Sequence, residues 1–174
     1  YSEDSRAYSE FNLTKHLKVG KPNTIAIQVM GMSDGGFMEM APVREMCGIT
    51  DSMFLLLKAP VNVQDYGITA RYEPATGFGY FSVATNIRNI YKKGQYYVEV
   101  EVWNPNGKVL DKMGRWVVFD KKIEAPVTLR REFGGVKPWT AENPQLYTCV
   151  IRLRNERMEL LEIEKELNGP GKEE

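Results

Sequence analysis

A single histidine, His16, stands among 174 residues. Metal sites built on several imidazoles are excluded with it, and a histidine-based nucleophile triad has only this one position to use. Cysteine is nearly as scarce, with Cys47 and Cys149 alone, so at most one disulfide can form. Net charge is absent, since 23 basic side chains meet 23 acidic ones. That balance provides no field to gather nucleic acid or an anionic membrane, and neither is expected as a partner. No apolar run approaches the ~20 residues of a spanning helix. Tyr1 opens the sequence without the basic start and apolar core of a leader, so a leader is expected to have been removed or never present. What is present is the composition of a soluble globular chain, 43% hydrophobic and 26% charged. Its length predicts one domain, or one domain and part of another.

Strand signals recur from Val61 onward at the spacing of an all-β sandwich. Val61–Tyr72 opens the series, Glu73-Pro-Ala-Thr-Gly is a turn, and Phe78–Arg88 is the second strand. After a turn at Tyr91-Lys-Lys-Gly, Gln95–Trp103 alternates most cleanly, with Tyr96, Val98, Val100 and Val102 on one face. Asn104-Pro-Asn-Gly is a tight turn in which Gly107 supplies positive φ. Val109–Met113, Arg115–Phe119 and Pro126–Phe133 follow as strands. Pro138 and Pro144 force extended backbone on Lys137 and Asn143, so 137–145 is no helix. From Leu146 alternation resumes, with Tyr147, Cys149, Ile151 and Leu153 on one face. A Tyr two residues before a Cys at such a strand start matches the tyrosine corner of sandwich domains. Trp139 and Tyr147 are therefore expected in the core, the latter with a bonded hydroxyl.

The C-terminal part has two readings. Leu160, Ile163 and Leu167 fit a helix, but an edge strand over about 158–164 suits the sandwich better. The total is then seven to eight strands of an immunoglobulin-like antiparallel sandwich over 59–167. Residues 168–174 read as a disordered, frayed tail. Residues 1–58 are set apart: Asn12–Leu17 is a short turn, Val19–Asn23 another, and Thr24–Met30 and Ser52–Lys58 are strands around a Met- and Gly-rich loop. Two such strands without a sheet are expected to pair with each other or, as a homodimer, with a second copy. An antibody-type bridge to Cys149 needs a cysteine near 78–88, and none is there. Both thiols are expected free.

Few residues here point to chemistry. A glycosidase needs two facing carboxylates, ~5 Å apart for retention or ~6.5–9.5 Å for inversion, and no pair is set in an apolar, convergent context. Glu99 and Glu101 share a strand face and read as a solvated stripe. Arg130, Arg131, Arg152 and Arg154 read as charges guarding sheet edges. Gly35-Gly36 and Gly134-Gly135 lack phosphate-loop spacing and read as turns. Tyr91, Tyr96, Tyr97 and Trp103, if shared on one exposed face, make a stacking platform for sugar.

One segment carries a family signature. Trp139-Thr-Ala-Glu-Asn-Pro-Gln-Leu-Tyr147 resembles the "Trp-x-x-Glu-Asn-Pro-x-Leu-Tyr" entry to the penultimate strand in the immunoglobulin-like domain of glycoside hydrolase family two, the β-galactosidase group. Trp139, Pro144 and Tyr147 are its structural residues. Residues 11–30 resemble the last strands of that family's sugar-binding jelly roll. The stretch Gly31–Ile49 is similar to its substrate loop, with Ser33, Asp34, Gly35, Glu39, Met46, Gly48 and Ile49 matching, while the family's Arg, both Trp and Asp-Gln-Asp run are replaced. The resemblance implies that Asp34 touches substrate, in the family often beside a sodium ion. It further implies a non-catalytic domain that spaces a sugar-binding module against a catalytic barrel, in a parent that cleaves terminal β-galactosides. No cofactor is implied in this chain, although the family often uses magnesium and sodium ions. The alternative is a free-standing sandwich that binds carbohydrate or protein.

Overall fold

Antiparallel strands dominate the computed structural model of the chain, which describes residues 1–2, 9–30, 48–49, 51–168 and 171–172. It divides into two units, Tyr1–Leu56 and Leu57–Glu174. In the second unit β1 spans Val61–Glu73, β2 Phe78–Asn89, β3 Lys93–Trp103, β4 Val109–Asp120, β5 Glu124–Gly134, β6 Tyr147–Arg154 and β7 Leu160–Asn168, with the two-residue β8 at Gly171–Lys172. They form two four-stranded sheets, ordered β5-β2-β1-β8 and β4-β3-β6-β7. Among the described residues only β8 pairs in parallel, with Arg71–Tyr72. This is the immunoglobulin-like sandwich that the spacing of strands and turns predicts.

The core is assembled by alternation. Phe81, Val83, Thr85 and Ile87 of β2 are buried while Tyr80 and Ala84 face out. Val98, Val100 and Val102 of β3 meet Cys149, Ile151 and Leu153 of β6 in register. On β1 the parity changes partway. Val61 and Val63 point inward, then a bulge between Val63 and Asp65 shifts the register, and Tyr66, Ile68 and Ala70 take over the core side. Residues Val109–Asp120 form one strand rather than the two expected. Gly114 continues it because the Tyr97 ring lies where a side chain at 114 would stand.

Turn chemistry joins the strands. Asn104 Oδ1 accepts from Asn106 N and Lys108 N, and Gly107, at φ 74°, donates to Asn104 O. Asn155 repeats the pattern with Arg157, Glu159 and Met158 at φ 63°. Asn89, fully buried, donates to Lys93 O and accepts from Tyr91 N, which pins the crossing from β2 to β3.

The rigid entry to β6 sits as expected at one residue and differently at another. Tyr147 Oη accepts from Lys137 N at 2.9 Å, a tyrosine corner. Trp139, expected in the core, is 43% exposed. Its loop, 135–146, belongs to neither sheet, so its indole has no second layer to pack into. Strand pairing also runs past the expected boundary. Asn168, expected in the frayed tail, pairs with Tyr147, and Gly171–Lys172 pair with β1.

Among the described residues of the first unit there is no strand. The turn at Thr14–His16 is present, with His16 N donating to Leu13 O, and Asn23 closes the next turn through Lys18 and Lys21. Thr24–Met30 and the described residues of 52–58 are not paired as strands. A strand exists only through a neighbour's backbone groups, and these stretches have no such neighbour among the described residues. Ile25, Ile27, Phe54 and Leu57 are exposed accordingly.

Candidate functional site

Charged side chains gather on the outer face of the β4-β3-β6-β7 sheet. Register places Glu99 between Gly114 and Arg152, and Glu101 between Lys112 and Val150. Arg152 Nη1 lies 2.8 Å from Glu101 Oε2 and 3.3 Å from Glu99 Oε1. Arg154 Nη2 reaches Glu99 Oε1 at 3.3 Å, Lys112 pairs with Glu101, and Trp103 Nε1 donates to Glu101 Oε2 at 3.2 Å. Glu101 is only 3% exposed. The expected solvated stripe is thus half wrong: long neighbours fold over the carboxylate and bury it. Arg152 and Arg154 do not guard an edge either, because β6 is an interior strand. Arg131, on the edge strand β5, pairs with Asp111 of β4. Alternation finds the face a residue occupies, but cross-strand partners decide its exposure.

This network does not do acid–base work. Burial acts to raise the Glu101 carboxyl, and hydrogen bonds and charge from Lys112 and Arg152 outweigh it, holding the group below its ordinary value. A general acid of a glycosidase needs the opposite shift. Both carboxylates are occupied by guanidinium groups rather than turned toward a vacant space. Between the sheets, Gly79, Phe81, Val102, Phe133, Tyr147 and Cys149 help line a cavity of about 30 Å³. That volume suits about one water and no sugar.

The aromatic positions do not assemble a platform. Tyr96 turns toward the core and meets Phe119 edge-on at 5.8 Å. Tyr97, on the outer face, leans on Trp116 at 5.2 Å with rings tilted by 52°. Trp103 is half-buried and tied to Glu101, and Tyr91 projects from a turn. Cys149 is free and buried, its thiol pushed up to about 12 by burial and the charge of Glu166; it is no nucleophile. Asp34 and Cys47 lie outside the described residues. Among the described residues no three His, Cys, Asp or Glu side chains are grouped to hold a metal ion.

Comparison with known proteins agrees with this geometry. The family model for "Glycosyl hydrolases family 2" matches residues 61–167, which is β1 through β7 but for the last residue of β7. A beta-galactosidase of Vibrio vulnificus (strain CMCP6) is 32% identical over 173 residues, covering 94% of this chain and 16% of that protein. One from Pseudoalteromonas haloplanktis is 34% identical over 178 residues, with the same coverage. The chain thus spans about 16% of the length of these curated relatives. Among solved structures, a glycosyl hydrolase family 2 member from Bacteroides cellulosilyticus DSM 14838 superposes at TM-score 0.59 with 20% identity, over 64% of this chain and 16% of that one. A Parabacteroides merdae beta-glucuronidase gives 0.53 and 16%, over 63% and 13%; both show the fold alone. With nearly all of β1 through β7 matched by the family's model, this chain belongs to glycosyl hydrolase family 2.

Proposed function

We propose that the chain is the immunoglobulin-like spacer of a β-galactosidase-type hydrolase, orienting a sugar-binding jelly roll against a catalytic barrel. The observation that carries this reading is coverage: the family match falls on the sandwich, in a chain about 16% as long as the beta-galactosidases it resembles. The ion pairs that occupy Glu99 and Glu101 support a mechanical rather than chemical role. In the parent, terminal β-galactosides would be hydrolysed with retention by two glutamates of the barrel. Exposed apolar residues such as Ile25, Val29, Phe54 and Leu57 would be covered by the remaining strands of the jelly roll, or by a second copy of the chain. Asp34 would contact the sugar from a loop of that module, on the strength of its Ser33-Asp34-Gly35 match.

The test is turnover of a chromogenic β-galactoside by the isolated chain and by the complete enzyme that contains it. The chain alone should be inert and the complete enzyme active, with Asp34→Ala raising KM roughly ten- to a hundredfold, the loss of one hydrogen bond to a charged group. Turnover by the pure chain that disappears on replacing one of its own glutamates would falsify the spacer reading. An inactive complete enzyme would overturn the parent activity.

A further inference from the structure

We infer that the outer face of the β4-β3-β6-β7 sheet is a docking face for an acidic, partly apolar surface of another domain of the same polypeptide. The inference rests on the reading of the chain as one domain of a larger hydrolase. Its origin is the register of the edge strand. Cys149, Ile151 and Leu153 point into the core, and their partners on β7 are Glu166, Glu164 and Glu162. The edge strand therefore turns its glutamates to the inner side. There Glu162 accepts from Val63 N and Glu166 is hydrogen-bonded to Tyr66. Solvent receives the aliphatic side chains instead: Leu160, Ile163 and Leu167 are each more than half exposed. A free-standing antiparallel sheet shows the reverse, polar side chains outward. Inward charges do protect an edge, but they do not require an apolar outer surface.

The apolar positions lie at the two sides of the sheet, on β4-β3 and on β7, with the paired charges of β3 and β6 between them. Trp116, Tyr97, Arg154 and Leu160 stand in one row, and Gly114, Glu99, Arg152 and Ile163 in the next. Exposed hydrophobic side chains grouped on one face mark an interaction site, whereas isolated ones do not. The charges in the middle are already paired, so docking has few long side chains left to order. Charge then selects the occupant. Lys112, Arg152, Arg154 and Lys165 outnumber Glu99 and Glu101 at register positions of this face. A second copy would bring like charge to like charge, while a carboxylate-bearing surface complements it. The outer face of the other sheet offers a contrast, with Gly67, Ala84 and Thr128 in one row and Thr69, Ser82 and Arg130 in the next.

The experiment compares maleimide labelling of Ile163→Cys and Thr128→Cys, each in the isolated chain and in the complete enzyme, read peptide by peptide. Leu160→Cys serves as a second reporter of the same face. Docking predicts labelling at 163 at least about tenfold slower in the complete enzyme than in the isolated chain, as for a surface closed except during opening, with no change at 128. Equal rates at 163 in both proteins, or equal protection at 163 and 128, overturns the inference. Protection within the isolated chain that fades on dilution assigns the face to a second copy and overturns the acidic partner. Galactoside turnover is scored on the same samples: an inactive enzyme still protected at 163 sinks the functional reading and leaves the docking face standing.

Discussion

Glu101 shows how one carboxylate is fixed by its neighbours rather than by its strand. Its hydrogen bonds come from Lys112, Arg152 and Trp103; against burial, which raises the carboxyl, Lys112 and Arg152 hold its titration below the ordinary 4.5. A carboxyl depressed on folding contributes stability above its unfolded pKa and loses it as pH falls through the folded value. Glu101→Gln should therefore lower stability at pH 7 by about 1.5–3 kcal/mol, the range for hydrogen bonds to charged groups. The gap between variant and wild type should begin to narrow near pH 4.5, where the unfolded carboxyl takes up its proton, and close as pH falls through the lower folded value. Denaturant unfolding of both proteins at several pH values checks this, and a gap that stays constant with pH refutes it. Little of this was legible in the sequence. Alternation placed Glu101 outward, correctly, but burial came from Arg152 and Lys112 across two strand pairings, which no local pattern encodes. Tyr147 was legible because its corner is set by chain neighbours ten residues away or fewer. Trp139 was not, since burial of an indole depends on a second layer that its loop lacks.

At the level of elements, the two hairpins closed by Asn104 and Asn155 form a natural comparison. Both use the same side-chain oxygen to satisfy two backbone donors, and both put the fourth residue in the left-handed region. Glycine occupies that place at 107 and methionine at 158. The first hairpin could be read from its Asn-Pro-Asn-Gly; the second could not, because Met158 carries no turn signal. A left-handed non-glycine residue costs about 1–2 kcal/mol, and glycine's extra chain entropy returns about half of that. Met158→Gly should accordingly stabilise the domain by about 0.5 kcal/mol, raising the thermal midpoint slightly. A drop instead would mean that the half-exposed Met158 side chain contributes packing larger than its backbone strain. The same gap in legibility runs through β1 and β4. The bulge after Val63 reverses which residues of β1 are buried, and a glycine at 114, a strand breaker by composition, continues β4 because the Tyr97 ring covers it.

For the whole molecule, the buried hydrophobic core among the described residues runs from Val61 to Leu153, all in the second unit. Hydrophobic burial is the main favourable term in folding, and here it is supplied by strands contributed after residue 60. Fold class was legible for the same reason: sandwich strands repeat a period-2 pattern that depends only on their own faces. The stretch before residue 60 was not legible, because Thr24–Met30 and Ser52–Lys58 have strand-like composition yet strand formation requires a partner that composition does not supply. Removing residues 1–56 should therefore leave a cooperatively unfolding domain whose stability lies within about 1 kcal/mol of the full chain, as for changes outside the core. Denaturant titration of the two chains gives the comparison, and the slope as well as the midpoint carries information. An equal slope would mean that the same surface is exposed in each transition. A shortened chain that unfolds earlier, or with a shallower slope, would show that the first unit contributes buried surface and that the sandwich is not self-sufficient.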